Sequence, residues 1–413
     1  MSAASTRPTA AEGLSPELAE RFGPLLAEIS AGAVGRERDR ELPWAAVRSL
    51  REAGFGALRL PREAGGSGLG LADFFALLVE LARADSNLPQ LWRGHIAFVE
   101  HVLSLPAGES KERWLERLAA GEIVGNAQSE PGGSAFWRPE TRIERSGEGW
   151  VVEGRKFYST GSIFADWIYT SGADGEDHVS ALVRADGSGV ERIDDWDGFG
   201  QRLTGSGTTI FERAAAEEVT VHPRGERTST TQNAVFQLVL LATLAGIGQR
   251  ALDEALDFVR GRSRSAFTAR VAVPSEDPQV HQVLGELAGL VLAARSSVQA
   301  VARTLEEVRE LEIAGSASAA DVARAEVAVF TAQGVVVDLV LRATTDVFRV
   351  GGASATAEHR ALDRHWRNAR TVSSHNPEIF RAATVGKALL DGTSPHDQLA
   401  AAVAAQISQG VPA

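Results

Sequence analysis

Cysteine is absent from this 413-residue chain, which removes disulfides, thiolate nucleophiles and cysteine zinc sites together. Positive charge is in short supply. There are 42 Lys and Arg against 54 Asp and Glu, a formal net charge of −12, and no basic block stands out that would release counterions from a phosphate backbone. Nucleic acid is therefore not expected as a partner. No apolar run reaches the roughly 18 residues of a membrane span, and the first residues lack the apolar centre of a secretory signal. The expectation is a cytoplasmic protein with a short leader and no membrane association. His95 and His101, like His359 and His365, are six residues apart, a spacing that aligns no two ligands on one helix face. No metal site is expected, and no internal repeat at a fixed period is present.

What remains is an ordinary globular composition, 44% hydrophobic, long enough for two or three domains. From about Ser15 to Ala120 the pattern is helical, with Ala46, Val47, Leu50 and Ala53 on one face and a second helical run from Ala72 to Ala84. The Gly65-Gly66-Ser67-Gly68-Leu69-Gly70 stretch between them lacks the G-x-G-x-x-G spacing and a preceding strand, so it reads as a helix connection. Past Gly125 come short β-like runs at Trp150–Gly154, Asp166–Thr170, Val179–Val183 and Thr208–Phe211, spaced as in a small antiparallel barrel or sandwich. From Thr231 the pattern is helical again, with runs beginning at Phe236 and spanning Val280–Val308, Ala320–Val347 and Ile379–Leu390. A frayed helix or tail is expected after Ala400. The implied architecture is α+β: an N-terminal helical domain over 1–124, a β-domain over 125–230, and a C-terminal four-helix bundle with a tail over 231–413.

Four local patterns carry more than this order of elements. Asn126-Ala127-Gln128-Ser129-Glu130-Pro131-Gly132-Gly133-Ser134 is the first. Gly154-Arg155-Lys156-Phe157-Tyr158-Ser159-Thr160-Gly161, followed by Ala165-Asp166-Trp167, is the second. Arg264-Ser265-Ala266-Phe267 with Gln282 is the third, and the Phe348-Arg349-Val350-Gly351-Gly352 turn is the fourth. Together they resemble the acyl-CoA dehydrogenase superfamily across nearly the whole chain. Where that family places its catalytic Glu, this chain has His375 or Asn376; Asn is no base, and His suits proton traffic near neutral pH rather than removal of a weakly acidic C–H. The Phe157–Gly161 run, the Gly200–Gly207 run and Ser374-His375-Asn376-Pro377 resemble the branch of reduced-flavin-dependent monooxygenases typified by dibenzothiophene monooxygenase.

That resemblance implies a two-component enzyme. It would take reduced FMN, with FAD as the alternative, from a separate NAD(P)H:flavin reductase, and with O2 as co-substrate would act through a C4a-hydroperoxyflavin on a small organic molecule. An organosulfur substrate is favoured over amine N-hydroxylation or indole hydroxylation. An acyl-CoA dehydrogenase with bound FAD, lacking an identified base, and a non-catalytic flavoprotein-like scaffold are the rival readings. By position, His375 is the acid/base group. Ser159 and Thr160 are the flavin N5 contacts, and Asn126 and Ser129 are further ring ligands. Arg264 and Arg370 are phosphate contacts, the former across a subunit interface in a homo-oligomer expected to be a tetramer. His95 is a second catalytic candidate. Trp92, Trp137, Phe157 and Trp196 are candidate pocket aromatics that would keep water from the reacting atoms.

Overall fold

The computed structural model describes residues 13–130, 139–222 and 230–408. Five helices come first: α1 (Pro16–Asp39), α2 (Trp44–Glu52), α3 (Leu71–Ala84), α4 (Asn87–Ser104) and α5 (Glu109–Ala119). Ser15 caps α1 by accepting from the Leu18 amide, with Pro16 at the first helical position, where its missing N–H costs nothing. The glycine-rich stretch leads into α3, whose N-terminal Ala72 N–H donates to Glu306 at 3.2 Å. A protein carboxylate thus fills the helix end that a phosphate would need, in keeping with a connector.

Seven strands follow: β1 (Val124–Ala127), β2 (Arg142–Ser146), β3 (Gly149–Lys156), β4 (Trp167–Asp174), β5 (Asp177–Arg184), β6 (Val190–Ile193) and β7 (Thr208–His222). Antiparallel pairing links β2 to β3, β3 to β7, β7 to β5 and β5 to β4, and a single pairing of Arg142 with Ala173 brings β4 back to β2. The result is a small closed barrel around Ile143, Val152, Ile168, Val179, Val183 and Phe211. The pairing is not purely antiparallel, since β1 and β2 both run parallel to β4. A connection of dozens of residues between β1 and β4 permits the parallel direction that a tight hairpin forbids.

The chain then returns to helix with α6 (Gln232–Arg260), α7 (Pro278–Ile313), α8 (Ala319–Asp346), α9 (Asp363–Ser374), α10 (Arg381–Asp391) and α11 (Pro395–Ser408). α6 is the central rod. Ala234, Val235, Leu238, Leu241, Ala242 and Ala245 are all buried in one core with α3, α7 and α8. Contrary to the expectation from apolar run length, α6 and the span Ala319–Val350 are long and apolar enough to cross a membrane. Scattered Gln, Thr and Gly interrupt the runs without lowering their mean hydropathy, and in α6 most of that apolar surface faces other helices. α9 is an element the sequence pattern did not announce, and His375 is its C-cap.

Candidate active site

The place where the helical and β segments meet is one stretch of α4, Gln90 to His95. At about 3.6 residues per turn, Gln90, Arg93 and Gly94 share one face of α4, with Gln90 between the other two. Gly94 and Arg93 contact different elements. A Cβ at Gly94 would come within 2.5 Å of Asn126 Oδ1, so glycine is what lets the β1 side chain lie against the helix. Arg93 Nε donates to the Phe236 carbonyl at 3.0 Å, its guanidinium lies 4.6 Å from the centre of the Phe236 ring, and Nη1 is 2.8 Å from His375 Nε2. Gln90 is buried, and its side-chain amide makes no hydrogen bond among the described residues.

The loop after β3 closes the other side. Tyr158 and Gly161 adopt left-handed backbone angles, φ 56° and 79°, and a Cβ at Gly161 would stand 2.2 Å from the Leu91 carbonyl oxygen. Only glycine serves there, on both counts. The loop is pinned to the 204–207 run by Ser159 N–H to Gly207 O (3.0 Å) and Gly161 N–H to Thr204 O (2.9 Å). It is pinned to β1 by Ser162 Oγ donating to Asn126 O at 3.0 Å. Ser159 is thereby turned inward and buried, and its hydroxyl has no partner among the described residues. A buried hydroxyl left alone costs on the order of 1–3 kcal/mol, a state that the Thr141 and Thr209 hydroxyls share among the described residues. Asn126 is half-buried, and its side-chain amide makes no hydrogen bond among the described residues.

His375 sits opposite, exposed at the end of α9. Arginine can only donate, so Nε2 must accept from Arg93 and the neutral ring carries its proton on Nδ1. Protein crowding at that side of the ring and the guanidinium charge push the His375 pKa down to about 3. Arg93 itself is held to about 9 by burial, with no carboxylate opposing. Asn376, the alternative occupant of the base position, is spent on Gln237 Oε1 at 2.7 Å and accepts at its carbonyl from Gln333.

The other predicted residues divide. The Thr160 hydroxyl is bonded to Ser206 Oγ at 2.7 Å, which continues to Thr204 at 2.7 Å, and the Thr160 N–H donates to Tyr158 O at 2.8 Å. The Thr160 hydroxyl and amide are thus both occupied within the chain. His95 is buried, with Nε2 donating to Gly56 O at 3.0 Å and Nδ1 accepting from Val124 N–H at 3.2 Å, contacts that tie β1 to α4. Desolvation lowers its pKa to about 4, and its i+2 position relative to Arg93 turns it to the opposite side of the helix. Trp92 is core, edge-on to Phe55 and His95 at 5.1 Å each. Phe157 (4.4 Å) and Trp196 (5.8 Å) flank the half-exposed Tyr158 and form a rim. Trp137 lies outside the described residues. Ser129 is exposed and uses its carbonyl to accept from the Phe157 N–H at 2.8 Å. Arg370 is half-buried on α9 and Arg264 is exposed in the segment before α7; neither guanidinium has a partner among the described residues.

Arg93 and Gln90 escaped the sequence reading. The signal was present: Arg93 interrupts an apolar helix with no Asp or Glu three or four residues to either side. Lys156 was noticed without its reason. Its ammonium is buried against Glu130 at 2.7 Å, and Glu130 also accepts the Glu140 and Thr141 N–H groups, so the pair braces the entry to the site.

A helical segment, a small β-barrel and a helical bundle meeting at one seam define the acyl-CoA dehydrogenase class of flavoprotein fold. Residues 22–122 match the acyl-CoA dehydrogenase N-terminal domain and residues 238–377 the C-terminal domain. The dibenzothiophene monooxygenase of Rhodococcus erythropolis is 28% identical over 382 residues, 88% of this chain and 91% of that one. A probable FMNH2-dependent monooxygenase, SfnC, of Pseudomonas putida is 28% identical over 95% of this chain and 97% of its own. Among solved structures, FMN-bound TdsC from Paenibacillus sp. A11-2 superposes with a TM-score of 0.85 at 25% identity, covering 92% of this chain and 98% of that one. The chain belongs to the acyl-CoA dehydrogenase superfamily, on its branch of flavin-dependent monooxygenases.

Proposed function

We propose that the protein is a two-component monooxygenase that takes reduced FMN from a separate NAD(P)H:flavin reductase and uses O2 to oxygenate a small organosulfur compound. The observation that carries this is the buried Ser159 hydroxyl with no partner, beside the unbonded amide of Asn126. Two relatives lend it support: one is named for FMNH2 and another for dibenzothiophene. Ser159 and Asn126 would hold the polar edge of the flavin ring. Reduced FMN, when bound, supplies the two electrons with which O2 gives one oxygen atom to a substrate and the other to water.

The chain's own groups set the conditions. A hydroxyl at Ser159 can accept from a ring N–H, which neither Ala nor Val can do. Neutral His375 offers one donor, Nδ1–H, and no standing positive charge. It therefore orients and hydrogen-bonds, and moves a proton only when the Arg93 contact to Nε2 changes. Tyr158, Trp196, Phe199 and Trp366, the last two stacked at 5.9 Å, form an aromatic rim that would shut out water once a ligand is seated. The exposed Arg264, next to the fully exposed Phe267, fits a contact to flavin phosphate in a neighbouring copy of a tetramer. A cytoplasmic location agrees with dependence on a diffusing reduced cofactor.

The test is oxygen transfer. With reduced FMN, 18O2 and methyl phenyl sulfide, labelled sulfoxide should form, and His375→Ala should lower its formation by roughly 10²- to 10⁴-fold. Unlabelled product, or consumption of O2 to hydrogen peroxide alone with every sulfide, amine and indole offered, would overturn the proposal.

A further inference from the structure

Two consecutive residues of α6 hold His375 from two sides. Phe236 gives its carbonyl to Arg93 Nε at 3.0 Å and its ring to the guanidinium at 4.6 Å, and Arg93 Nη1 then reaches His375 Nε2 at 2.8 Å. Gln237 Oε1 accepts from Asn376 Nδ2 at 2.7 Å, while Gln333 of α8 donates to the Asn376 carbonyl at 2.9 Å, so the backbone directly after His375 is fixed as well. The His375 N–H is spent on the Val372 carbonyl. Ring and backbone are both pinned, and Nδ1–H is the one donor of His375 that no described residue uses.

A neutral imidazole relays a proton by taking one at one nitrogen and giving one from the other. A guanidinium at Nε2 closes that route: it fills the lone pair, and its charge opposes a second positive charge beside it. Among the described residues Arg93 is the one charged group that bears on the ring, since α6 and α8 face this segment with Phe236, Gln237 and Gln333, none of them ionisable.

We propose that Arg93 is a positioning residue that acts through His375: its donation to Nε2 locks the Nδ1–H tautomer and makes the ring a fixed hydrogen-bond donor instead of a proton carrier. The reaction which that donor serves is the one in the monooxygenase reading, on which this role rests. The acid/base part that the family resemblance gives His375 is thereby withdrawn for as long as the contact lasts. His375 steadies an acceptor atom of a ligand and supplies it no proton. Phe236 and Gln237 are the frame, one holding the guanidinium and the other the backbone beyond the ring.

The test is nitrogen NMR of protein labelled with 15N-histidine, in which the signals lost in His375→Ala identify the ring and no turnover is needed. Wild type should show the Nδ1–H tautomer and stay neutral well below the ordinary histidine value of about 6.5. In Arg93→Met the Nε2–H form should appear, and the ring should take up its proton at a pH roughly 1 to 3 higher than in wild type. Arg93→Lys, which keeps a charge and a donor, should restore the Nδ1–H form. A merely structural arginine would move neither signal. With methyl phenyl sulfide and reduced FMN, the pH profile of oxygen transfer in Arg93→Met should gain an inflection that tracks the ring's titration and is missing from wild type. An Nε2–H ring in wild type, a wild-type ring that titrates near its ordinary value, or a tautomer and titration unchanged in Arg93→Met would each overturn the proposal. The first two are read on wild type and stand even where the variant fails to fold. Failure of oxygen transfer with every sulfide, amine and indole would instead sink the monooxygenase reading and leave the NMR result in place.

Discussion

Two polar regions of the molecule lie under the surface, and they are finished to different degrees. Between α1, α3 and α6 a cleft of about 250 Å3 is lined by Glu80, Arg83, Arg250 and Asp253, and every charge in it is answered. Arg83 meets Asp253 at 2.6 Å and Glu80 at 3.1 Å, and Arg295 meets Glu80 at 2.7 Å. Next to it Glu254 receives Arg250 at 2.8 Å, Arg364 Nη1 at 3.0 Å and His365 at 2.9 Å. Along the α4 seam, by contrast, Ser159, Asn126, Gln90 and Arg93 keep hydrogen-bonding capacity that no described residue uses. A cleft by shape is not a site by chemistry. The closed network holds helices together, whereas the open one is complete only with a ligand.

The comparison breaks most visibly at Glu254. Glu254→Gln leaves Arg250 and Arg364 without their shared counter-ion, and urea unfolding should show a loss of about 3–5 kcal/mol. In the same assay Arg93→Met should be neutral or mildly stabilising. A large loss at Arg93 would mean that its charge is architectural after all.

The two histidines give the next contrast. His375→Ala should lower product formation by roughly 10²- to 10⁴-fold while shifting the unfolding midpoint little. His95→Ala should cost about 1–3 kcal/mol by stranding Val124 N–H and Gly56 O, with FMN affinity retained. Reversed results would exchange their roles.

Acidity probes the closed region. Burial lowers His365 to about 4, with Arg364 adding to it, and burial lowers His95 to about 4. Both rings take up a proton near pH 6.5 when unfolded and resist it when folded, so the unfolded state binds more protons between about pH 6.5 and 4. Stability should therefore fall as pH drops through that window, by on the order of 2 kcal/mol per histidine. Chemical denaturation at pH 7.5 and pH 4.5 in wild type and His365→Gln measures the share of one ring. The smallest effect is expected at Ser159→Ala. It should leave stability within about 1 kcal/mol or raise it, because an unused buried hydroxyl is removed, yet weaken flavin binding about tenfold by fluorescence titration.

Much of this was legible beforehand. Helices such as α3 and α7, and strands such as β3 and β5, carry their period in the apolar pattern, and the β3 loop and α9 motifs located Ser159 and His375. What the chain could not disclose was which polar groups were already satisfied. The partners of His95 are backbone atoms near residues 56 and 124, and those of Thr160 lie at 158 and 206, so no spacing rule reaches them. Parallel pairing of β1 with β4 depends on the same long-range closure. Arg93 was readable in retrospect, as a lone cation on an apolar helix without an acid in helical reach.

The most direct test is the structure of the protein with FMN bound. Ser159 Oγ and the Asn126 amide should each lie within about 3 Å of a polar atom of the flavin ring, with Thr160 still on Ser206 and His95 still on Gly56 and Val124. A flavin seated in the α1–α3–α6 cleft, or one that leaves Ser159 alone, would contradict the claim that the unsatisfied seam is the site.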